Sequence, residues 1–332
     1  MNRDASLSIY RVLATLFVLL CHIGTHYGSA LVAMGFLVGV EMFLLLSGYL
    51  CAAGAHKRRD LRYFASRYLR LMLPVWILLA FYIPPALLSG RNTLADFLPY
   101  LTGVVGLPRL HGGAYFTQVQ GLTHLWYITA ALLCEVAALP LLFVWRRLTK
   151  KNCARRVAAL GALVPLCLLG GATPLRLGYL WAFAAGVFLY EFPACRSGRR
   201  AFFWCGAALV GAAAVRLLGM HYLDDTYLYT NGVIPLSYLV IAAALFVLVR
   251  TLARGRMQAF LERVSKGRVF TFLEKHSYEI YLVHYVFIVG PLCVFDLRAP
   301  EWVKLLGFLL CSAAAAALLR LLVRAVRGAW RR

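Results

Sequence analysis

Arg11 and His22 stand eleven residues apart in the first hydrophobic run of this chain. At about 100° per residue that separation returns both to nearly one helix face, roughly 16 Å apart along the axis. Arg11 lies near the cytoplasmic end and His22 in the outer half of the run. A cation low and an imidazole high on one face suit a lined pathway. The alternatives are a snorkelling Arg11 and a hydrogen-bonded packing role for His22. Glu41, in GVEMFLLLSGYL, falls at about the depth of His22 when the second run is counted inward from Phe36. A carboxylate there can fix the imidazole tautomer and raise its basicity, or it can pair with another buried donor. Ser47 and Gly48 read as small residues for close helix packing.

Arg67 and Arg70 share a helix face where the third run leaves the cytoplasm. Two guanidiniums can hold phosphates through bidentate bonds; positive-inside anchoring is the competing reading. His124 and Trp126 open the fourth run, as ligands of an acceptor or as interfacial anchors. Glu279, Tyr281 and His284 fall in the cytoplasmic half of the ninth run, where a structural hydrogen bond is the expected use of His284. There is no serine-nucleophile elbow, phosphate-cradling glycine loop, zinc motif or dinucleotide fingerprint. The nine cysteines include no CxxC pair and read as packing residues, so no metal is expected.

These residues need membrane helices to position them. Of 332 residues, 62% are hydrophobic and 14% charged, against about 25% charged in a soluble domain. Apolar runs of about 20 residues, enough to cross a bilayer, recur near 8–27, 35–54, 71–89, 124–145, 157–172, 175–192, 201–219, 232–249, 277–296 and 303–325. The first run, with Arg11 and His22 inside it and no small-residue cleavage site, does not read as a cleaved signal peptide. Lys and Arg number 28 on one side of these spans and 6 on the other. The alternation predicts an all-α polytopic protein of about ten transmembrane helices, with both ends in the cytoplasm. A single membrane domain, 1–332, follows. The net charge of +22 then serves topology and contact with anionic lipid, not nucleic acid. Two outer connections are long: 89–123, with room for a short re-entrant or interfacial helix, and 220–231, whose Tyr222, Tyr227 and Tyr229 suit an interfacial aromatic belt or a sugar.

Five segments in order resemble membrane acyltransferase family 3, which contains many bacterial O-acetyltransferases of surface polysaccharides. They are the Arg11–His22 spacing, GVEMFLLLSGYL, RYLRLMLPVW (67–76), HLWYITAALL (124–133) and HSYEIYLVH (276–284). The resemblance implies an acyl-coenzyme A donor, usually acetyl, entering from the cytoplasm and met by Arg67, Arg70 and Arg11. It implies an essential His22, and a hydroxyl acceptor at the outer face, commonly on a glycan. His124 and Trp126 would contact that acceptor. It places the chain in a bacterial plasma membrane. The chain departs from many glycan-modifying members in lacking an appended extracytoplasmic domain and the Glu-rich run after Trp126; Glu135 is displaced. The competing class is a transporter or flippase of a glycan or acylated precursor, using the same intramembrane charges as a path. The lack of an internal repeat weighs against it.

Overall fold

The computed structural model of the chain describes residues 4–54, 61–107, 119–149, 161, 179–191, 199–223, 226, 228–253 and 257–330. All regular structure among them is helical. The helices are α1 (Ala5–His26), α2 (Ala30–Phe36), α3 (Gly39–Ala53), α4 (Leu61–Leu88), α5 (Leu98–Thr102), α6 (Trp126–Thr149), α7 (Tyr179–Glu191), α8 (Arg199–Tyr222), α9 (Ile234–Leu252), α10 (Gln258–Lys266), α11 (Arg268–Val283) and α12 (Glu301–Ala329). Six stretches among the described residues are long and apolar enough to cross a bilayer: α1, Ala30–Ala53, most of α4, most of α8, α9 and α12. The protein is therefore a multi-pass membrane protein. Of the other four expected spans, two are shorter apolar helices, Thr123–Ala138 and Tyr179–Tyr190. The span expected at 157–172 lies outside the described residues save 161. The one expected at 277–296 is not a single helix, because α11 stops at Val283.

The chain divides into two units. The first comprises Met1–Phe17, Phe36–Arg59 and Leu133–Glu274. Its helices α3 and α7 meet backbone to backbone. A methyl group on Gly48 would stand 1.9 Å from the Phe183 carbonyl oxygen, and one on Gly186 would stand 2.0 Å from that of Leu45. Only glycine permits such an approach, the usual device for helix association where lipid offers no hydrophobic drive. Around this seam pack Tyr10, Met42, Leu45, Tyr49, Ala242 and Phe246. The Tyr10 hydroxyl donates to the Ala242 carbonyl over 2.9 Å, and its ring stands edge-on to Phe246. Arg250, 4% exposed, ends α9 in an ion pair with Asp4 at 3.2 Å. Burial alone would raise the Asp4 carboxyl; the Ser6 hydroxyl and the Arg250 charge outweigh it and hold the carboxyl below its ordinary value. Tyr229 is no part of an interfacial belt. It is buried against Gly219, and its hydroxyl donates to the Arg216 carbonyl over 3.1 Å. Tyr222 is exposed, and Tyr227 lies outside the described residues.

The second unit comprises Val18–Gly35, Asp60–Leu132 and Lys275–Arg332. In the long connection after α4, a 3₁₀ turn (Leu94–Phe97) leads into α5, the short helix expected there. Thr129 of α6 ties the following chain down: its hydroxyl donates to the Gly103 carbonyl over 2.8 Å and accepts from the Gly106 amide over 2.9 Å. The Trp76 indole donates to the Leu101 carbonyl over 2.8 Å. Arg320 of α12 holds the start of this unit's α11 segment, donating to the Lys275 carbonyl and pairing with buried Glu279 at 3.5 Å. Trp302, Leu306, Leu309, Leu310, Leu318 and Leu321 leave one flank of α12 exposed and apolar. That flank suits hydrocarbon and not water.

Candidate active site

The site is built where α11 gives out. After Val283 the backbone tightens into a 3₁₀ turn, His284–Phe287. A helix end leaves its last carbonyls without intrahelical donors, and here imidazoles take them. His284 Nδ1 donates to the Tyr281 carbonyl over 2.8 Å and leans towards that of Ile280 at 3.2 Å. His124 Nε2 donates to the Leu282 carbonyl over 3.2 Å. His124 itself lies in a 3₁₀ turn, Thr123–Leu125, that leads into α6. Gly121 just before it has φ +78°, and a side chain there would strike the Tyr82 hydroxyl at 2.7 Å. The contact is reciprocal, because the Tyr281 hydroxyl donates to the His124 carbonyl. His124 and His284 are 3% and 0% exposed.

His22, near the end of α1, completes the cluster. Its ring centroid lies 5.2 Å from that of His284, 6.2 Å from His124 and 4.5 Å from Tyr285. His124 and His284 are 5.0 Å apart. Three imidazoles and the Tyr281 and Tyr285 rings thus converge within the second unit.

The hydrogen bonds decide the chemistry of two of these rings. A carbonyl oxygen only accepts, so the nitrogen facing it carries the proton. His284 is therefore protonated at Nδ1 and His124 at Nε2. The opposite nitrogens, His284 Nε2 and His124 Nδ1, hold lone pairs; both are buried and have no hydrogen-bond partner among the described residues. A buried acceptor without a donor costs about 1–3 kcal/mol, a cost that a ligand hydroxyl or amide would relieve. Among the described residues no three His, Cys, Asp or Glu side chains meet in an arrangement that could hold a metal ion. What the cluster offers is neutral nitrogen bases, able to accept a hydroxyl's hydrogen bond or its proton.

The other expected residues are placed as follows. Arg11 lies on α1 with His22, in the part of that helix belonging to the first unit. Glu41 is on α3, also in the first unit, half-buried and within electrostatic reach of Arg216. Its Oε2 is buried and has no hydrogen-bond partner among the described residues. Arg67 and Arg70 are both on α4, and of the two only Arg70 lines a cavity of about 460 Å³ there. Trp126 is half-buried at the first position of α6. His124 is buried against His22 and is not an interfacial anchor. His284 makes the structural hydrogen bond expected of it, to the Tyr281 carbonyl, and is also a member of the cluster; Tyr285 was not foreseen at all. The available signal was the segment HSYEIYLVH, whose last residue is His284.

A family model described as an acyltransferase domain, acyltransferase family 3, matches residues 4–324. No curated protein and no solved structure matches the chain.

Proposed function

This chain belongs to acyltransferase family 3, a family of membrane acyltransferases, and we propose from that premise that it transfers an acetyl group from acetyl-coenzyme A, or another acyl from its thioester, to a hydroxyl of an extracytoplasmic acceptor, a cell-surface sugar. The observation that supports this reading best is the convergence of His22 with two buried imidazoles whose tautomers are set by backbone carbonyls. In this mechanism His22 removes the proton of the acceptor hydroxyl. The hydroxyl oxygen attacks the thioester carbonyl carbon, the carbon–sulfur bond breaks, and the sulfur leaves to take the proton held on His22. The lone pairs of His124 and His284 accept hydrogen bonds from the acceptor and hold the reacting oxygen, so that proton transfer starts from a positioned pair.

The remaining assignments belong to the same proposal. Arg11, Arg67 and Arg70 meet the anionic coenzyme. Trp126 stacks on the acceptor beside His124. Glu41 is the carboxylate proposed for the same chemistry. The bacterial plasma membrane, with both chain ends in the cytoplasm, is the proposed location.

The test is consumption of radiolabelled acetyl-coenzyme A by the purified protein in lipid vesicles supplied with bacterial membrane extract. Label appearing in a glycan fraction is the expected outcome. Label that stays on coenzyme A under all conditions refutes the proposal.

A further inference from the structure

The two chain segments that carry His124 and His284 meet a second time, away from the rings. Gly121 precedes His124, and Gly290 follows His284. Both glycines have positive φ, +78° and +110°, a conformation that favours glycine over any residue with a side chain. Both press on one atom: a methyl group on either would stand 2.7 Å from the Tyr82 hydroxyl oxygen. The segments also touch each other there. A methyl on Gly121 would stand 2.7 Å from the Val289 carbonyl oxygen, and one on Gly290 would stand 3.4 Å from that of Gln120. Tyr82 belongs to α4 and is 2% exposed, and its hydroxyl donates to the Gln120 carbonyl. All of these residues lie in the second unit.

Short-range bonds carry this contact to the imidazoles. The Leu122 amide donates to the Val119 carbonyl over 3.2 Å and the Leu125 amide to the Leu122 carbonyl over 3.0 Å, so the chain around His124 is one bonded turn. The Ile288 and Val289 amides both donate to the Tyr285 carbonyl, over 3.1 and 3.0 Å, which ties the neighbour of Gly290 to the 3₁₀ turn that begins at His284. At the rings themselves, His124 is held to α11 through Leu282 and Tyr281. A segment held at one point can swing about it; held at two, it keeps one orientation. A buried tyrosine in need of an acceptor is satisfied by a single carbonyl. Here the backbones of two segments are also built around its oxygen.

We propose that Tyr82 is a positioning residue, a clamp that fixes the His124 and His284 turns against each other and so keeps their rings, 5.0 Å apart, aimed at one reacting group. Its effect on rate rests on the acyl-transfer reading, because a displacement of about 1 Å at a reacting centre can cost about a hundredfold. Its effect on the rings does not rest on that reading, so the two are tested apart.

The test uses the full-length protein, labelled with ¹⁵N at histidine and held in lipid bilayers. Solid-state NMR separates protonated from bare ring nitrogens, and His124→Gln and His284→Gln samples assign the two rings. Wild type shows His284 protonated at Nδ1 and His124 at Nε2. In Tyr82→Phe both rings move or mix tautomers, and kcat for acyl transfer falls about tenfold with KM nearly unchanged. Tyr229→Phe is the matched control: it removes another buried hydroxyl that donates to a backbone carbonyl, in the first unit, and leaves both rings as in wild type. Rings that move without any change in kcat support the clamp and count against the use of these rings in acyl transfer. Folded Tyr82→Phe with either ring unchanged refutes the clamp, as does the same disturbance in Tyr229→Phe. Should Tyr82→Phe fail to fold, 3-fluorotyrosine placed at position 82 alone keeps the ring and strengthens the hydroxyl as a donor. Both imidazole signals then move together if Tyr82 holds both turns, and a response in one ring or in neither refutes it.

Discussion

His284 donates its Nδ1 hydrogen to the carbonyl of Tyr281, 2.8 Å away, and that bond leaves Nε2 as the nitrogen available for chemistry. His284→Gln keeps an amide oxygen near the position of Nε2, whereas His284→Asn keeps only a donor near Nδ1. Both variants are expected to lower the rate of acyl transfer, with His284→Asn the more severe by about tenfold or more, within the usual range for a positioned acid–base group. Initial rates in vesicles, normalised to membrane-inserted protein, check the order. Equal rates for the two variants would show that Nε2 is not used.

Tyr281 acts through His124. Its hydroxyl donates to the His124 carbonyl, and Tyr281→Phe removes that bond while keeping the ring. The expected cost in stability is about 0.5–1.5 kcal/mol, read as a lower melting temperature. Transfer should slow through kcat with KM nearly unchanged, because the ring that moves belongs to the reacting centre. A raised KM at unchanged kcat would place Tyr281 in binding alone.

The α3–α7 seam depends on glycine. In Gly48→Ala the new methyl would stand 1.9 Å from the Phe183 carbonyl oxygen, a backbone atom that cannot step aside. Overpacking of this kind costs about 1–3 kcal/mol or more. Lower yield of folded protein and a lower melting temperature are expected, whereas Gly211→Ala on α8, with open space at that position, should be neutral. A fluorescence-detected thermal melt of both variants decides it.

The Asp4–Arg250 pair makes stability depend on acid. The Asp4 carboxyl lies below its ordinary value in the folded protein, so its contribution is present above the unfolded value and is lost as pH falls through the folded one. The pair is partly exposed on the Asp4 side, so the effect is small and screened by salt. Asp4→Asn should melt below wild type at neutral pH, and the difference should shrink as the medium is acidified towards pH 3. A gap independent of pH would show that the ion pair is not its cause.

Much of the candidate site was legible in the chain, and the missing parts share a physical cause. His22 and His124 stand out because ionisable groups in apolar runs are few. The role of His284 was hidden because 277–296 is a nearly unbroken apolar run, with no Pro or Gly before Gly290 to announce that α11 ends at Val283. His284 meets His22 across the fold, with ring centroids 5.2 Å apart, a long-range contact that no local pattern reveals. Helical spacing grouped Arg67 with Arg70, yet only Arg70 lines the cavity. Its companions there, Arg62 and Arg327, include one that lies 257 positions away, which no local pattern reveals. Tyr229 looked interfacial because its neighbours are polar, but the bare face of Gly219 ten residues earlier gives its ring a buried place.

The most direct measurement of the central claim compares wild type with His22→Ala in a single-turnover experiment, with excess protein over labelled acetyl-coenzyme A and acceptor-containing extract in vesicles. The account predicts label transfer by wild type, and transfer reduced by about a hundredfold or more in His22→Ala, with the variant still inserted, folded and able to bind coenzyme A. Transfer by His22→Ala at the wild-type rate would contradict the assignment of His22 as the base at the centre of this site.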